Sequence, residues 1–316
     1  MFDGQSVLVT GATGSFGSHF IPWLLRQPVR KVIVYSRDEY KQWVMARNVK
    51  DQRVRWRLGD VRDPKRTHRV VQDADVVIHA AALKHVTAME RNPEEAHATN
   101  VLGTLNVLQA VMDSPVRKAI LLSTDKACMP VNLYGATKMV AERLWLTYGV
   151  HKPVFSFVRY GNVMESRGGV LGIWREDLLQ GRVPKMTDPR MTRFWMSFEM
   201  AIQAVVRAYE LPPGLAIVHK APAIEMRTLA LALGIPPADM EILGIQPGEK
   251  WHETLITEYE GARAWDMGDM YAIAPDFVVD ETVVYPTKTW TRMPEGFSYT
   301  SDGTIRLTVE DVKERI

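Results

Sequence analysis

The chain has one cysteine, Cys128, in 316 residues. A single thiol excludes an intramolecular disulfide framework and fits a reducing compartment. Net charge is just as scarce. Thirty-nine Lys and Arg against 37 Asp and Glu leave a formal charge of +2, too little to hold a polyanion unless the charges cluster. They cluster once, in "RVRWRLGD", where Arg53, Arg55 and Arg57 alternate with Val54, Trp56 and Leu58. That alternation predicts a half-buried strand with a solvated basic face, not a nucleic-acid site. No run of about 18 apolar residues occurs, so no membrane span is expected. The first apolar run, "SVLVTGATG", has no basic segment ahead of it and enters a glycine loop. No secretory signal is therefore expected, and a cytoplasmic location follows.

What the chain does have is a hydrophobic content of 46% and a regular rhythm in its first half. "SVLVT" (6–10), "KVIVYS" (31–36), "RVRWRLGD" (53–60), "DVVIHAA" (75–81), "KAILLS" (118–123) and "VFSFVRY" (154–160) read as strands, with room for a crossover helix between neighbours. This pattern predicts an α/β fold, a doubly wound parallel sheet. A helix is expected over 93–113, with Asn92 as its cap, Pro93 in its first turn, and Glu94 and Glu95 against its dipole. After Asn162 the rhythm gives way to Gly- and Pro-rich loops broken by a helical stretch near 197–210. We expect a Rossmann domain over 1–162 plus 190–212, and a smaller, discontinuous C-terminal substrate domain over 163–189 plus 213–316.

The first strand runs into Gly11, Gly14 and Gly17 and then a helical pattern. Glycines let a pyrophosphate approach the backbone, and the free N–H groups of a helix start attract it. With a strand before, a helix after and a second strand about 20 residues on, the spacing predicts a dinucleotide site. The second strand ends in Ser36, Arg37 and Asp38. Asp38 could take the ribose 2′-hydroxyl of NAD, whereas Ser36 and Arg37 offer a hydroxyl and a guanidinium to a 2′-phosphate. NADP is expected over NAD.

The fifth strand should bring Ser123, Thr124, Asp125 and Lys126 to its carboxyl end, where open α/β sheets bind ligands. Tyr134 and Lys138 stand one helical turn apart. A lysine ammonium and an oxidised nicotinamide near the phenol would lower its pKa from about 10 toward working pH, letting Tyr134 remove a hydroxyl proton while a hydride leaves the same carbon. Asp125 and Lys126 add a second acid and base, more than hydride transfer alone requires. His79, His85 and His97 are spaced too loosely for a metal site, and none is expected.

"TGATGSFG", "YSRDEYKQ", "GDVRD", "HAAALKHV", "NPEEAHATNVLGTLNV", "LSTDKA", "NLYGATK", "RYGNVMESRGGV", "MTRFW", "GIQPGEKWHE" and "FSYTSDG" span almost the whole chain. Together they resemble the extended short-chain dehydrogenase/reductases, and among these the configuration-inverting UDP-N-acetylglucosamine 4,6-dehydratases of pseudaminic acid and related surface-sugar biosynthesis. The resemblance implies a pyrophosphate on Thr13, Gly14, Ser15 and Phe16, an adenosine phosphate among Ser36, Arg37 and Lys41, and an adenine at Asp60 and Val61. Ala80, Ala81, Ala82 and Val163 would complete the cofactor bed, and Lys84 would lie between cofactor and sugar. Asn162, Arg167, Gly168, Gly169, Val170 and Leu171, with Arg193 and Glu249, would meet the nucleotide sugar, most simply UDP-N-acetylglucosamine. A homo-oligomer is also implied.

Catalysis would fall to Thr124, Asp125, Lys126, Tyr134 and Lys138. Oxidation at C4 acidifies the C5 proton; Lys126 would remove it, Asp125 would protonate the departing C6 hydroxyl, and hydride would return to C6. These roles call for a lowered Lys126 pKa and a raised Asp125 pKa. Retaining relatives carry Asp-Glu where this chain has Asp125-Lys126, and C4 epimerases share the Tyr-Lys pair. A catalytically silent regulatory protein is the reading from another class, against which the intact Tyr134 and Lys138 argue. Four residues depart from the family pattern: Cys128, Met129, Glu165 in place of a common Gly, and Gln246 in place of an Arg, with Arg193 or Arg227 as candidates to compensate.

Overall fold

Val7, Val9, Val32, Val34 and Ile78 have no exposed surface, and neither have Leu8, Val77, Ile120 and Leu121. Consecutive strand residues point to opposite faces, so such runs are buried only where both faces of the sheet are covered. The computed structural model describes residues 1–152, 154–276, 285 and 287–316. Of the range expected for the second domain, 277–284 and 286 lie outside the described residues.

The six expected runs form β1 (Ser6–Thr10), β2 (Lys31–Ser36), β3 (Val54–Leu58), β4 (Val76–His79), β5 (Lys118–Thr124) and β6 (Phe155–Tyr160). Beyond them come β7 (Asn162–Val163), β8 (Lys185–Met186), β9 (Thr192–Met196), β10 (Ala216–His219), β11 (Ala223–Glu225) and β12 (Glu241–Ile242), then β13 (Thr254–Ile256), β14 (Ala264–Asp266), β15 (Met270–Ile273), β16 (Thr291–Arg292) and β17 (Tyr299–Thr300). The main sheet runs β16-β14-β15-β10-β6-β5-β4-β1-β2-β3. It is parallel from β3 to β10 and antiparallel from β15 outward. The parallel core is the doubly wound sheet that was expected. Connections diverge between β1 and β4, and the crevice at their carboxyl ends is where such sheets bind ligands.

One hydrophobic cluster lies on each face, the first built on Leu8, Ile33, Val77, Leu121 and Phe157, the second on Val7, Val9, Val34, Ile78 and Leu122. A third, around Leu171, Trp174, Trp195 and Leu229, packs under β9 and β11 away from the main sheet. Among the described residues no helix is long and apolar enough to cross a membrane.

Three local expectations change. On β3, Val54 is buried but Leu58 is 47% exposed, because β3 is the edge strand of the sheet. Its arginines serve the fold: Arg53 donates to the carbonyls of Leu25 and Gln27 at 2.6 and 3.1 Å, capping the end of the helix Ser15–Leu25. The helix expected over 93–113 is three helical pieces, Pro93–His97, a π-turn Ala98–Leu102 and Gly103–Met112. Asn92 does not cap it; its Nδ2 donates to the Ala88 carbonyl at 2.8 Å, at the end of the preceding short helix. The helical stretch near 197–210 is the helix Phe198–Glu210, capped by Ser197.

Candidate active site

Gly11 follows β1 with φ +62°, and a Cβ there would lie 2.7 Å from Ala81 Cα. Only glycine lets the loop turn and the β4 exit approach this closely. Gly17 is equally constrained, its missing Cβ facing the Ala12 backbone. The helix Ser15–Leu25 begins at Gly14 with no side-chain cap, so its first N–H groups stay open to an anion.

Two adjacent cavities of about 280 and 570 Å³ share Gly11, Gly14, Lys41, Ala80, Ala82 and Arg167. The smaller adds Thr13, Ser36, Arg37, Asp38, Asp60, Val61 and Ala81. The larger adds Ser15, Phe16, Lys84, Thr124, Asp125, Lys126, Tyr134, Lys138, Asn162, Val163, Gly168 and Gly169. One cleft thus gathers most residues singled out in the sequence. At its distal end Asp38 caps the helix Glu39–Asn48 through the Lys41 amide at 2.9 Å and pairs with Lys41 Nζ at 2.8 Å. Among the described residues, Arg37, half exposed, pairs only with Asp60, at a long 3.7 Å. The carboxylate is occupied and the guanidinium is available.

Thr124 ends β5 and starts the short 3-10 turn Asp125–Ala127. Its Oγ1 donates to Asp125 Oδ1 at 2.8 Å, and Lys126 Nζ lies 3.2 Å from the same oxygen. Asp125 Oδ2 is buried without a hydrogen-bond partner. Burial, helped by the nearby Glu253, raises the Asp125 pKa against the opposing pull of Lys126 and Thr124, in the direction expected of an acid.

Two titration expectations are corrected. Burial would neutralise Lys126, but Asp125 and Glu253 outweigh it and raise its pKa, so the lysine is a held ammonium here. Tyr134 is raised rather than lowered, because burial outweighs the pull of Lys126 and Thr124. Lys138 turns its Nζ to the Leu122 carbonyl at 2.7 Å, and burial brings its pKa to about 8 despite Glu142. Burial, then Arg167 and Lys126, also lowers the Lys84 pKa.

Other expected residues stand apart. Leu171, 2% exposed, belongs to the third hydrophobic cluster, and Val170 packs against it from the first turn of the helix Val170–Leu179. Neither lines the cleft, because an apolar side chain at the start of that helix is taken up by the core beneath. Arg193 lines neither cavity but stands 3.8 Å from Glu253 beside Lys126, donating to the Thr192 and Trp251 carbonyls at 2.8 and 3.2 Å; Arg227 pairs with Glu225, and Glu249 lies outside both cavities with Oε2 buried and unpartnered. Glu165 sits at φ +58° and turns to Arg175 at 3.5 Å. Met129 also has positive φ, +45°. Gln246 bonds the carbonyls of Leu243 and Gly244. Cys128 is buried, with its thiol pKa raised by burial.

Two residues escaped the sequence reading. Glu253, 3% exposed, lies 3.2 Å from Lys126 Nζ. Asn100 holds the loop carrying Lys84 by exchanging bonds with Leu83 N and O at 2.8 and 3.0 Å, and donates to Thr137 Oγ1 on the Tyr134 helix. Both fall within quoted motifs, but their partners lie far off in sequence.

The family model described as polysaccharide biosynthesis protein matches residues 7–275. An inverting UDP-N-acetylglucosamine 4,6-dehydratase of Campylobacter jejuni is 40% identical over 314 residues, covering 96% of this chain and 94% of the relative. A UDP-glucose 4-epimerase of Rickettsia canadensis is 36% identical, covering 99% and 96%. The structure of Pen from Bacillus thuringiensis is similar with a TM-score of 0.91 at 31% identity, covering 100% of this chain and 98% of that one. DesIV, a dTDP-glucose 4,6-dehydratase from Streptomyces venezuelae solved with NAD and TYD bound, shares the fold at TM-score 0.71 and 23% identity, covering 78% and 86%.

Proposed function

Because the chain belongs to the polysaccharide biosynthesis protein family, we propose that it is a UDP-N-acetylglucosamine 4,6-dehydratase that inverts C5, yielding the L-arabino 4-keto-6-deoxy sugar nucleotide. The observation behind this reading is the Asp125-Lys126 pair, joined at 3.2 Å beside Tyr134 in the cleft, in a chain 40% identical to an inverting dehydratase. The epimerase relative keeps C4 epimerisation as the second reading.

A dinucleotide fits the cleft, since Gly11 and Gly14 line both cavities and the helix Ser15–Leu25 starts beside them with no side-chain cap. Gly11, Thr13, Gly14, Ser15 and Phe16 would hold its pyrophosphate and Ser36, Arg37 and Lys41 a 2′-phosphate; with Asp38 occupied as a cap, we favour NADP over NAD. A bound nicotinamide would supply the hydride chemistry, as acceptor from C4 and donor to C6. Tyr134 takes the C4 hydroxyl proton. Lys126, in its neutral form, takes the C5 proton, the electron pair forms the C5–C6 double bond, Asp125 protonates the leaving hydroxyl as water, and after hydride return to C6 a proton added to the opposite face of C5 completes the product and inverts that carbon. Lys84, Asn162, Arg167, Gly168 and Gly169 bind and orient the sugar nucleotide.

We assign most cofactor contacts to 1–162 plus 190–212 and most sugar-nucleotide contacts to 163–189 plus 213–316, with Lys84 and Asn162 reaching the sugar from the first, in a cytoplasmic homo-oligomer. This divides ligand contacts, while β10 and β14–β16 complete the main sheet. Incubation with a panel of nucleotide sugars, followed by mass spectrometry, tests the assignment. Loss of one water from UDP-N-acetylglucosamine, with deuterium at C5 in the L-arabino configuration after turnover in D₂O, is the expected result. An isomeric product of unchanged mass would establish the epimerase instead.

A further inference from the structure

Lys126 is gripped from two sides. Its Nζ lies 3.2 Å from Asp125 Oδ1 and 3.2 Å from Glu253 Oε1. Glu253 comes from a segment remote in sequence and is itself fixed. Arg193 Nε and Lys250 Nζ stand 3.8 and 3.9 Å from its two oxygens. Its amide donates to Ser301 Oγ at 2.9 Å, and its carbonyl accepts from the Ser301 amide at 2.8 Å. The following strand, β13, is tied back to the catalytic turn: the Leu255 carbonyl accepts from Cys128 Sγ at 3.4 Å and from Arg159 at 2.9 Å. The backbone that carries the carboxylate is therefore fixed, and the carboxylate itself is buried, with Oε2 making no hydrogen bond.

A lysine side chain is long and loses much rotamer freedom when held. A general base must stand within hydrogen-bond reach of its proton, and small displacements are costly in rate. Asp125 alone, adjacent in sequence, restrains one side of the ammonium. Glu253 closes the other.

Resting on the dehydratase reading above, we propose that Glu253 is the positioning residue of Lys126: it fixes the lysine head group beside Asp125 and sets the pH at which that lysine becomes a base. The charged and titratable groups facing Lys126 are Asp125, Glu253, Tyr134, Arg193 and Lys84, with Lys250 behind Glu253. Two carboxylates oppose the cations. Without the Glu253 charge, Asp125 alone faces Arg193, Lys84 and Lys250, and the lysine holds its proton less tightly.

Glu253→Gln and Glu253→Asp, each checked for folding by thermal melting, test this with two readouts. The first needs neither sugar nor cofactor: acetylation of Lys126 by acetic anhydride, followed by peptide mass spectrometry across pH, reports the neutral amine. The half-labelling pH should fall by about one unit in the Gln variant and stay near wild type in the Asp variant. The second is the pH dependence of kcat/KM for loss of water. Its rising limb should move the same way in Glu253→Gln, with kcat down about tenfold or more and KM within about twofold.

An unshifted labelling curve in a folded Glu253→Gln protein overturns the proposal. Should that variant not fold, Glu253→Asp decides: its shortened reach must lower kcat without moving the limb, and an unchanged kcat overturns the proposal. A wild type that dehydrates no nucleotide sugar overturns the dehydratase reading instead, and the labelling curve then decides the role of Glu253.

Discussion

Arg167 fastens one wall of the cleft to the other: its Nη2 donates to the Thr13 carbonyl at 2.8 Å, and its amide donates to Ser15 Oγ at 3.0 Å. The loop Ser166–Gly169, on the proposed sugar side, is thereby stitched to the glycine loop on the cofactor side. Neither ligand would be bound independently of this residue.

Arg167→Ala should therefore weaken both ligands together. The loss of a hydrogen bond from a charged group costs about 1.5–3 kcal/mol, or roughly a tenfold to hundredfold rise in Kd. Calorimetry with NADP and with UDP-N-acetylglucosamine, each alone, checks this. A variant that loses affinity for only one of them would show that the stitch does not couple the two sides.

On the proposed reading, Arg37 would decide the choice of dinucleotide. Since Asp38 is taken up by Lys41, wild type should bind NADP more tightly than NAD, and Arg37→Ala should lose about 1.5–3 kcal/mol of NADP affinity with little change for NAD. Equal affinities for both dinucleotides in both proteins would defeat this expectation.

Tyr134→Phe should reduce turnover by about 10²–10⁴ while NADP affinity, measured by titration calorimetry, stays within about twofold of wild type. On the proposed mechanism the hydroxyl acts on the sugar, and the substitution keeps the ring. A rate within tenfold of wild type would remove Tyr134 from the proton chemistry.

Lys118 offers a test of stability against pH. It is 7% exposed, its Nζ bonded to the Leu211 carbonyl at 2.5 Å, and burial lowers its pKa from 10.5 to about 7. Between about pH 7 and 10.5 the folded chain holds fewer protons at this site than the unfolded chain, so the site's contribution to stability rises with pH. Below pH 7 both states are protonated and the full cost of the buried charge is present. Lys118→Met should be most favourable relative to wild type at pH 6, and the advantage should shrink by an amount on the order of 3 kcal/mol toward pH 10. Urea unfolding of both proteins across that range measures the difference; a difference that does not vary with pH would contradict the shift.

The sequence showed most where the cause is local. β1 and β2 fall at the expected residues because their β-branched runs are buried on both faces. The glycine loop was legible because Gly11 and Gly17 answer steric demands set by close neighbours. Leu58 was misjudged because alternation cannot tell an edge strand from an inner one. Leu171 was misplaced because adjacency to Gly168 and Gly169 says nothing about which side chain the third cluster takes in. The charge state of Lys126 was beyond reach for the same reason as Glu253: its second carboxylate arrives from 127 positions downstream, and a motif records only its own neighbours.

Ser301, the residue that pins Glu253, lies far along the chain from the glycine loop. In chain order the glycine loop comes first and the Tyr-Lys pair after it. The carboxylate that completes the grip on Lys126 comes only at 253, and its anchor at 301. The glycine loop and the second grip on Lys126 thus come from distant parts of the chain, so on the proposed reading a chain clipped between 253 and 301 would keep the nucleotide bed and lose the anchor of Glu253.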